Sequence, residues 1–266
     1  MTEILKAALF GIVEGVTEWL PVSSTGHLIL LDALVPLELS RDFGSFFEVA
    51  VQLGAVAAVA VLFSRRLNPL DPSNLRLWGL VLAAVLPSGA VGALTDDWME
   101  ENLHRPAVVG VCLIAYGVFF LLAERRRTPP RITRTEDTDL STALGIGLFQ
   151  CLSLVPGTSR SGATVLGGLL LGASRTAAAE FSFLMALPTM LGACLFRGGK
   201  LVLAGTVFTG TETAALLTGC AVSFSVSLLV IRALLDYVRT HTFAPFARYR
   251  MALGVAVLLA RLTGRI

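Results

Sequence analysis

Two short stretches hold the residues whose types and spacing could do chemistry. The first runs from Glu14 through Glu18, Trp19, Leu20 and Pro21 to Ser23-Ser24-Thr25-Gly26-His27. Glu14 and Glu18 stand at i and i+4, so on a helix they share one face. Carboxylates in otherwise apolar sequence are costly to bury and turn toward a partner or a cavity. Pro21 should end that helix, and Ser23, Ser24 and Thr25 should cap a new one starting near Gly26. The start of a helix offers unpaired N–H groups and a positive dipole end, which suits an anion. His27 follows Ser24 closely enough to share its pocket. A lone Ser or Thr at a helix start is usually only a cap, and a lone His or Glu can be a helix–helix hydrogen-bonding group. Serines, carboxylates and an imidazole packed this closely read instead as a nucleophile and acid–base set.

The second stretch is Pro156-Gly157-Thr158-Ser159-Arg160-Ser161-Gly162-Ala163-Thr164. Gly157 and Gly162 let backbone approach a ligand closely. Successive N–H groups with Ser159, Ser161 and Thr164 would form an anion nest. Arg160 supplies a planar, permanently charged fork that matches phosphate oxygens. The plainer reading, an Arg that snorkels to an interface, fits poorly with the serines and glycines around it.

The elements that must position these groups lie in lipid. Of 266 residues, 55% are apolar and only 15% charged, against about a quarter charged in soluble domains. The mean hydropathy is +0.75. The net charge of +2 carries no nucleic-acid signature. Cys112, Cys151, Cys194 and Cys220 sit in apolar runs without metal-ligand spacing and read as small buried residues. Lys6, Glu14 and Glu18 interrupt the first apolar stretch, so it does not read as a cleavable leader.

Apolar segments at 45–63, 78–95, 106–123, 180–196, 212–235 and 249–264 each have the length of a membrane crossing. Segments 4–35 and 141–172 are broken by the two polar stretches and read as re-entrant helix–loop–helix elements, because irregular backbone at membrane depth survives only inside protein or beside a wet cavity. Sliding the chain so that Glu14 falls on Gln150 places Ser23 on Ser159, Ser24 on Arg160, Thr25 on Ser161 and Gly26 on Gly162. Leu53-Gly54-Ala55 falls close to Leu191-Gly192-Ala193. This is the mark of an internal repeat. An odd number of crossings between the two elements makes the repeat inverted. The expected fold is therefore an all-α polytopic membrane protein with six transmembrane helices and two re-entrant elements. It forms a single membrane domain over 1–266, with repeat one at about 1–123, a cytoplasmic linker at about 124–140 and repeat two at about 141–266.

Basic residues set the orientation. Arg65, Arg66, Arg76, Arg125, Arg126, Arg127, Arg131, Arg134, Arg239, Arg248 and Arg250 would be cytoplasmic, opposite loop 36–44 with Arg41 and loop 96–105 with Asp96, Asp97, Glu100, Glu101 and Arg105. The first re-entrant element then opens outward. Arg197 and Lys200 fit this scheme less well. Trp19, Trp78 and Trp98 read as an aromatic belt, His104 as a solvated loop residue and His241 as interfacial. With the two re-entrant elements facing each other, a hydroxyl, an imidazole and two carboxylates oppose a cation and backbone donors, which fits phosphoryl transfer from a lipid-borne diphosphate.

At these residues the chain resembles the bacterial undecaprenyl-diphosphatase, or bacitracin-resistance protein, family. Residues 14–27 are similar to its ExxxE-x-LP-x-SSTGH signature and 156–164 to its PGxSRSGxT signature. The stretches Phe47–Ala55 and Ala179–Met190 also fit, whereas 124–140 does not resemble family sequence. The resemblance implies hydrolysis of undecaprenyl diphosphate to undecaprenyl phosphate and inorganic phosphate. That reaction recycles the carrier lipid for peptidoglycan synthesis and confers bacitracin resistance. It further implies a multi-pass protein of the bacterial inner membrane, with its site open to the periplasmic face and a homodimer as a further expectation. Ser24 is the implied nucleophile, His27 its base or proton shuttle and Ser23 a support. Glu14 and Glu18 would move protons or hold Mg²⁺ or Ca²⁺. Arg160 would hold the diphosphate with help from Thr25, Gly157, Ser159, Ser161 and Thr164. Ser24, His27 and a metal-bound water all stand as the attacking group.

One rival fails and one remains at this level. A type-2 phosphatidic acid phosphatase is excluded, because it needs a His where this chain has Leu166 and neither Lys6 nor Lys200 starts its first element. A secondary transporter or lipid-phosphate flippase would use the same broken helices and midplane anion site.

Overall fold

A computed structural model describes residues 2–68, 70–103, 105–125 and 129–264. The expectations for His104, Arg126 and Arg127 lie outside the described residues, as do those resting on the side chains of Arg41, Asp96, Asp97 and Glu100. Ten α-helices follow one another among the described residues: α1 Glu3–Thr17, α2 Ser24–Leu34, α3 Arg41–Leu62, α4 Pro72–Leu103, α5 Pro106–Arg125, α6 Leu140–Cys151, α7 Arg160–Leu170, α8 Arg175–Leu203, α9 Gly210–Thr240 and α10 Ala244–Leu262.

Length sorts these helices into two kinds. Five of them, α3, α4, α5, α8 and α9, are long and apolar enough to cross a membrane. The sixth predicted crossing corresponds to α10, whose run is broken by Arg248 and Arg250. By contrast α2 and α7 have 11 residues each. At about 1.5 Å per residue such a helix is roughly half as long as the hydrocarbon core is thick. The α1–α2 and α6–α7 pairs are therefore the two broken elements expected from the sequence.

Their local chemistry is matched. α2 is capped by Ser23, whose Oγ accepts from Gly26 N at 3.4 Å, and α7 by Ser159, whose Oγ accepts from Gly162 N at 3.1 Å. Both capping serines have φ +73°. α1 ends at Thr17, four residues short of Pro21. Pro21 has no N–H to return to the Thr17 carbonyl, so the helix releases before reaching it.

Close backbone approach holds the helices together, as expected where lipid supplies no hydrophobic drive between them. α1 lies on α9 so tightly that a Cβ at Gly11 would stand 2.5 Å from Gly219 O, and one at Gly15 2.8 Å from Ser223 O. α5 lies equally close to α10, where a Cβ at Gly254 would stand 2.7 Å from Gly110 O. α8 is the central element: 56% of its span is buried, against 28% for α4, α5 and α9.

One end of the bundle is laced by ion pairs. Arg66 reaches Glu136 at 2.9 Å and Glu180 at 3.0 Å, and Thr135 donates to Glu180 at 2.7 Å. Arg175 pairs with Glu124 at 2.6 Å, and Glu124 also accepts from Phe243 N at 3.0 Å. The described part of the linker is thus docked: Ile132, Thr135 and Thr138 are buried, and Ile132 bridges to Ala173. Asp139 caps α6 through Thr142 N at 2.7 Å, and this bond with that from Ser141 holds its carboxyl down at about 2.

Several sequence expectations change. Residues 96–103 are the end of α4 and not loop, and Arg197 and Lys200 lie within α8. Arg250 is not a cytoplasmic surface residue but is 0% exposed within α10. Trp19 is also fully buried, edge-on to Phe183 at 5.2 Å, and so does not belong to an aromatic belt; Trp98 is exposed. Cys194 alone of the cysteines is buried, and the other three are half-buried.

Candidate active site

The two broken elements meet turn against turn. Glu18, at the end of α1, is the point where they join. Its Oε2 accepts from Ser24 Oγ at 2.9 Å. Its Oε1 accepts from Arg160 Nη2 at 2.9 Å and from Nε at 3.3 Å. The hydroxyl of the first motif and the guanidinium of the second thus share one carboxylate. The Glu18 side chain is 6% exposed and that of Arg160 10%. Arg160 is fixed further by Nη1 donating to Ser182 O at 2.7 Å, and it lies over the Trp19 ring at 5.7 Å.

His27 reaches the same turn by another route. Its Nδ1 lies 2.7 Å from Ser23 O. A carbonyl only accepts, so that nitrogen carries a proton. Nε2 lies 2.8 Å from Tyr249 Oη and, in the neutral ring, accepts from it. Tyr249 stacks on the imidazole at 5.5 Å. Ser24 is therefore hydrogen-bonded to Glu18, while His27 is held by Ser23 and Tyr249.

Glu14 lies one turn before Glu18, is 0% exposed, and neither of its oxygens has a hydrogen-bond partner. Leaving a buried carboxylate unpartnered is costly, and two bare oxygens beside Glu18 match the hard donors that Mg²⁺ or Ca²⁺ takes. Among the described residues no three His, Cys, Asp or Glu side chains gather as ligands. Mg²⁺ commonly uses one or two carboxylates and completes its shell with water and substrate phosphate, so the donor set fits a cation shared with a phosphate.

The other expected binding residues divide by task. Ser159 is spent on its cap. Ser161 Oγ donates to Glu18 O at 2.8 Å, pinning one motif's turn to the other. Thr164 bonds Arg160 O at 2.9 Å and Ser182 Oγ at 2.6 Å, and so steadies the helix that carries the guanidinium. Gly157 has φ +89°, and a Cβ there would stand 2.6 Å from the Val109 backbone, so its freedom serves packing on α5. Thr25 makes no side-chain hydrogen bond among the described residues and is half-buried. Ser24, His27, Ser159 and Arg160 are half-buried, whereas Ser23, Ser161 and Thr164 are buried.

Sequence reasoning missed Tyr249, Ser182 and Arg250. Arg250 donates to Pro21 O at 3.2 Å, Gly157 O at 3.0 Å and Thr158 O at 2.8 Å. A cation inside an apolar segment was the available signal, and counting it with the loop arginines concealed it. Gln150 is the residue on which Glu14 falls when the two stretches are superposed in sequence. Its amide donates to Ser88 Oγ at 2.5 Å and Thr189 Oγ1 at 3.1 Å beside an apolar cavity of about 340 Å³.

Positive φ at a non-glycine residue costs about 1–3 kcal/mol and persists where the surroundings enforce it. Ser23 and Ser159 both carry this cost immediately before the residues that matter most, Ser24 and Arg160.

Known proteins share this arrangement of sequence. The chain is 48% identical to the undecaprenyl-diphosphatase of Lacticaseibacillus casei (strain BL23), covering 97% of this chain and 98% of that protein. It is 47% identical to the undecaprenyl-diphosphatase of Enterococcus faecalis, covering 97% and 96%. It is also 47% identical to undecaprenyl-diphosphatase 1 of Clostridioides difficile (strain 630), with the same coverage. These names describe a diphosphatase and not a carrier, so the transporter expectation gains no support from them. The model of the family described as bacitracin resistance protein BacA matches residues 7–256, and the chain belongs to that family.

Proposed function

We propose that this protein hydrolyses undecaprenyl diphosphate to undecaprenyl phosphate and inorganic phosphate within the membrane. The observation that carries the reading is the chain Ser24–Glu18–Arg160, in which a nucleophile, a base and a phosphate-binding cation lie in consecutive contacts of 2.9 Å. The names of relatives matching nearly the whole chain support the substrate.

In this reading the terminal phosphate enters between the two turns and takes donors from Arg160 and from the starts of α2 and α7. Ser24 Oγ attacks the terminal phosphorus. Its proton passes to Glu18, and the bond to the bridging oxygen breaks, releasing undecaprenyl phosphate. Water then attacks the phosphoserine and gives a proton to Nε2 of His27, whose bond from Tyr249 opens for this step. Glu18 returns its proton to Ser24 as inorganic phosphate leaves, and His27 releases its proton to solvent. Arg160 and the helix starts neutralise charge on the phosphoryl oxygens throughout. Glu14, whose two oxygens are unpartnered, would hold a divalent cation, a group that would supply further neutralisation of phosphate charge. Removing Glu18 from Arg160's side by protonation frees guanidinium donors for the phosphate at the moment charge builds there.

The proposed setting is the inner membrane, with the arginine-rich end of the bundle in the cytoplasm and the site open to the opposite face. The clustering of Arg66, Arg76, Arg131 and Arg175 around the linker supports this orientation.

Phosphate release from undecaprenyl diphosphate in detergent micelles tests the reading. Ser24→Ala, His27→Ala and Arg160→Ala should each lower turnover by roughly a hundredfold or more, the range for positioned acid–base groups and oxyanion donors. Near-normal turnover by folded Arg160→Ala would remove the clamp, and near-normal turnover by Ser24→Ala would remove the nucleophile.

A further inference from the structure

Both turns of the candidate site are held by one side chain that belongs to neither motif. Arg250 lies on α10 and is 0% exposed. Its guanidinium donates through Nη1 to Pro21 O at 3.2 Å, in the first turn. Through Nη2 it donates to Gly157 O at 3.0 Å and Thr158 O at 2.8 Å, in the second. A planar fork reaches two loops at once in a way a point charge cannot. Gly162 leaves room for it, since a Cβ there would stand 2.9 Å from Nη1. The ring of Tyr116 lies 5.7 Å from the guanidinium on another side.

These carbonyls have a particular place in the chain. Pro21 O is two residues before Ser23, and Thr158 O directly precedes Ser159. Ser23 and Ser159 are the described non-glycine residues with positive φ. A backbone in a sparsely populated region holds only where its neighbours over-determine it. Because a peptide unit is planar, fixing the Thr158 carbonyl also fixes the direction of the Ser159 N–H. The next residues are Ser24 and Arg160. Arg250 also forms no ion pair among the described residues; the partners of its bonds are neutral carbonyls, and its Nε has none. A buried cation satisfied by loop carbonyls and one aromatic face is an expensive way to brace a fold if bracing were its whole purpose.

We propose that Arg250 is a positioning residue: it ties the two re-entrant turns to α10 and thereby sets the distance and orientation of Ser24 relative to Arg160. This rests on the reading of the site given above. Its effect is on geometry at the reacting atoms, so it belongs to the rate of the chemical step more than to substrate affinity. A misplacement of about 1 Å can cost on the order of a hundredfold in rate.

Arg250→Lys separates charge from fork, because it keeps the cation but cannot span both turns. Purified Arg250→Lys should keep its thermal transition close to that of the parent, lose kcat by about a hundredfold and shift KM by no more than about threefold. Hydrogen–deuterium exchange should rise in residues 21–26 and 157–162 together. Retention of kcat within threefold, or exchange rising at one turn or neither, overturns the proposal. So does a lowered transition with full kcat in the folded fraction, which is the signature of a brace only. Should Arg250→Lys fail to fold, Gly162→Ala carries the same test, since its methyl must displace the guanidinium. Slower turnover at unchanged KM with raised exchange at residues 21–26 supports the proposal, and unchanged exchange there overturns it. Ser24→Ala and Arg160→Ala run alongside: full activity in those variants defeats the site reading, while the exchange result still reports on Arg250 independently.

Discussion

Glu18 is the residue on which the most depends. It takes a hydrogen bond from Ser24 and a salt bridge from Arg160, so it joins the hydroxyl of one motif to the cation of the other. The division of labour between Glu18 and His27 has a direct consequence. If Glu18 deprotonates Ser24 and His27 serves the water step, the two variants fail at different stages. Glu18→Gln should form no phosphoserine, whereas His27→Ala should accumulate it. Rapid acid quench followed by mass analysis of the peptide holding Ser24 distinguishes them. Phosphoserine absent from both would place His27 in the first step instead. The sequence made Ser24, His27, both carboxylates and Arg160 legible because polar residues stand out in an apolar chain. It could not assign Ser24 to Glu18, since that bond depends on how the chain turns between Thr17 and Ser24. The sequence reads the serines and Thr164 of the second motif as ligands, and in the fold their side chains also bond neighbouring backbone and hydroxyl groups. Hydroxyls serve both purposes, and spacing alone does not distinguish them.

At the scale of elements, α1 carries Glu14, presents Glu18 as its C-cap and owes its place to glycine contacts with α9. Gly11→Leu must push Gly219 away, because even a Cβ at Gly11 would stand 2.5 Å from its carbonyl. That change should lower the thermal transition in detergent and abolish turnover with it; an unaltered transition would mean that α1 is placed by something other than this contact. The broken elements were legible from Pro21, Pro156 and the polar runs between apolar stretches. Helix ends were not. Residues 96–103 carry acidic groups that look like loop, but helical hydrogen bonding continues through them. Arg250 was misplaced for a related reason. A basic residue near a helix start looks interfacial until the depth of its neighbours is known.

For the whole molecule, the linker is the part least legible in sequence and the most firmly tied at its described end. Glu180, on the central helix, takes bonds from both Arg66 and Thr135. Glu180→Ala strands the buried Thr135 hydroxyl and leaves Arg66 with Glu136 alone, and the loss of about 1–3 kcal/mol for an orphaned buried group should lower the thermal transition by a few degrees while leaving kcat unchanged, read by scanning fluorimetry beside phosphate release. A fall in kcat at an unchanged transition would show that the linker communicates with the site. The all-helical, multi-pass plan needed only composition and segment length, because hydrocarbon forbids unpaired backbone and leaves little choice.

The pairing of Glu18 with Arg160 also dictates an order of assembly. The two are 142 residues apart, so a ribosome delivers the acid long before its counter-charge exists. Until the second half emerges, the nascent first half carries Glu18 without the guanidinium that pairs with it in the folded protein. A messenger truncated in the linker should therefore yield no lasting product, and the two halves expressed as separate chains should survive only when made together.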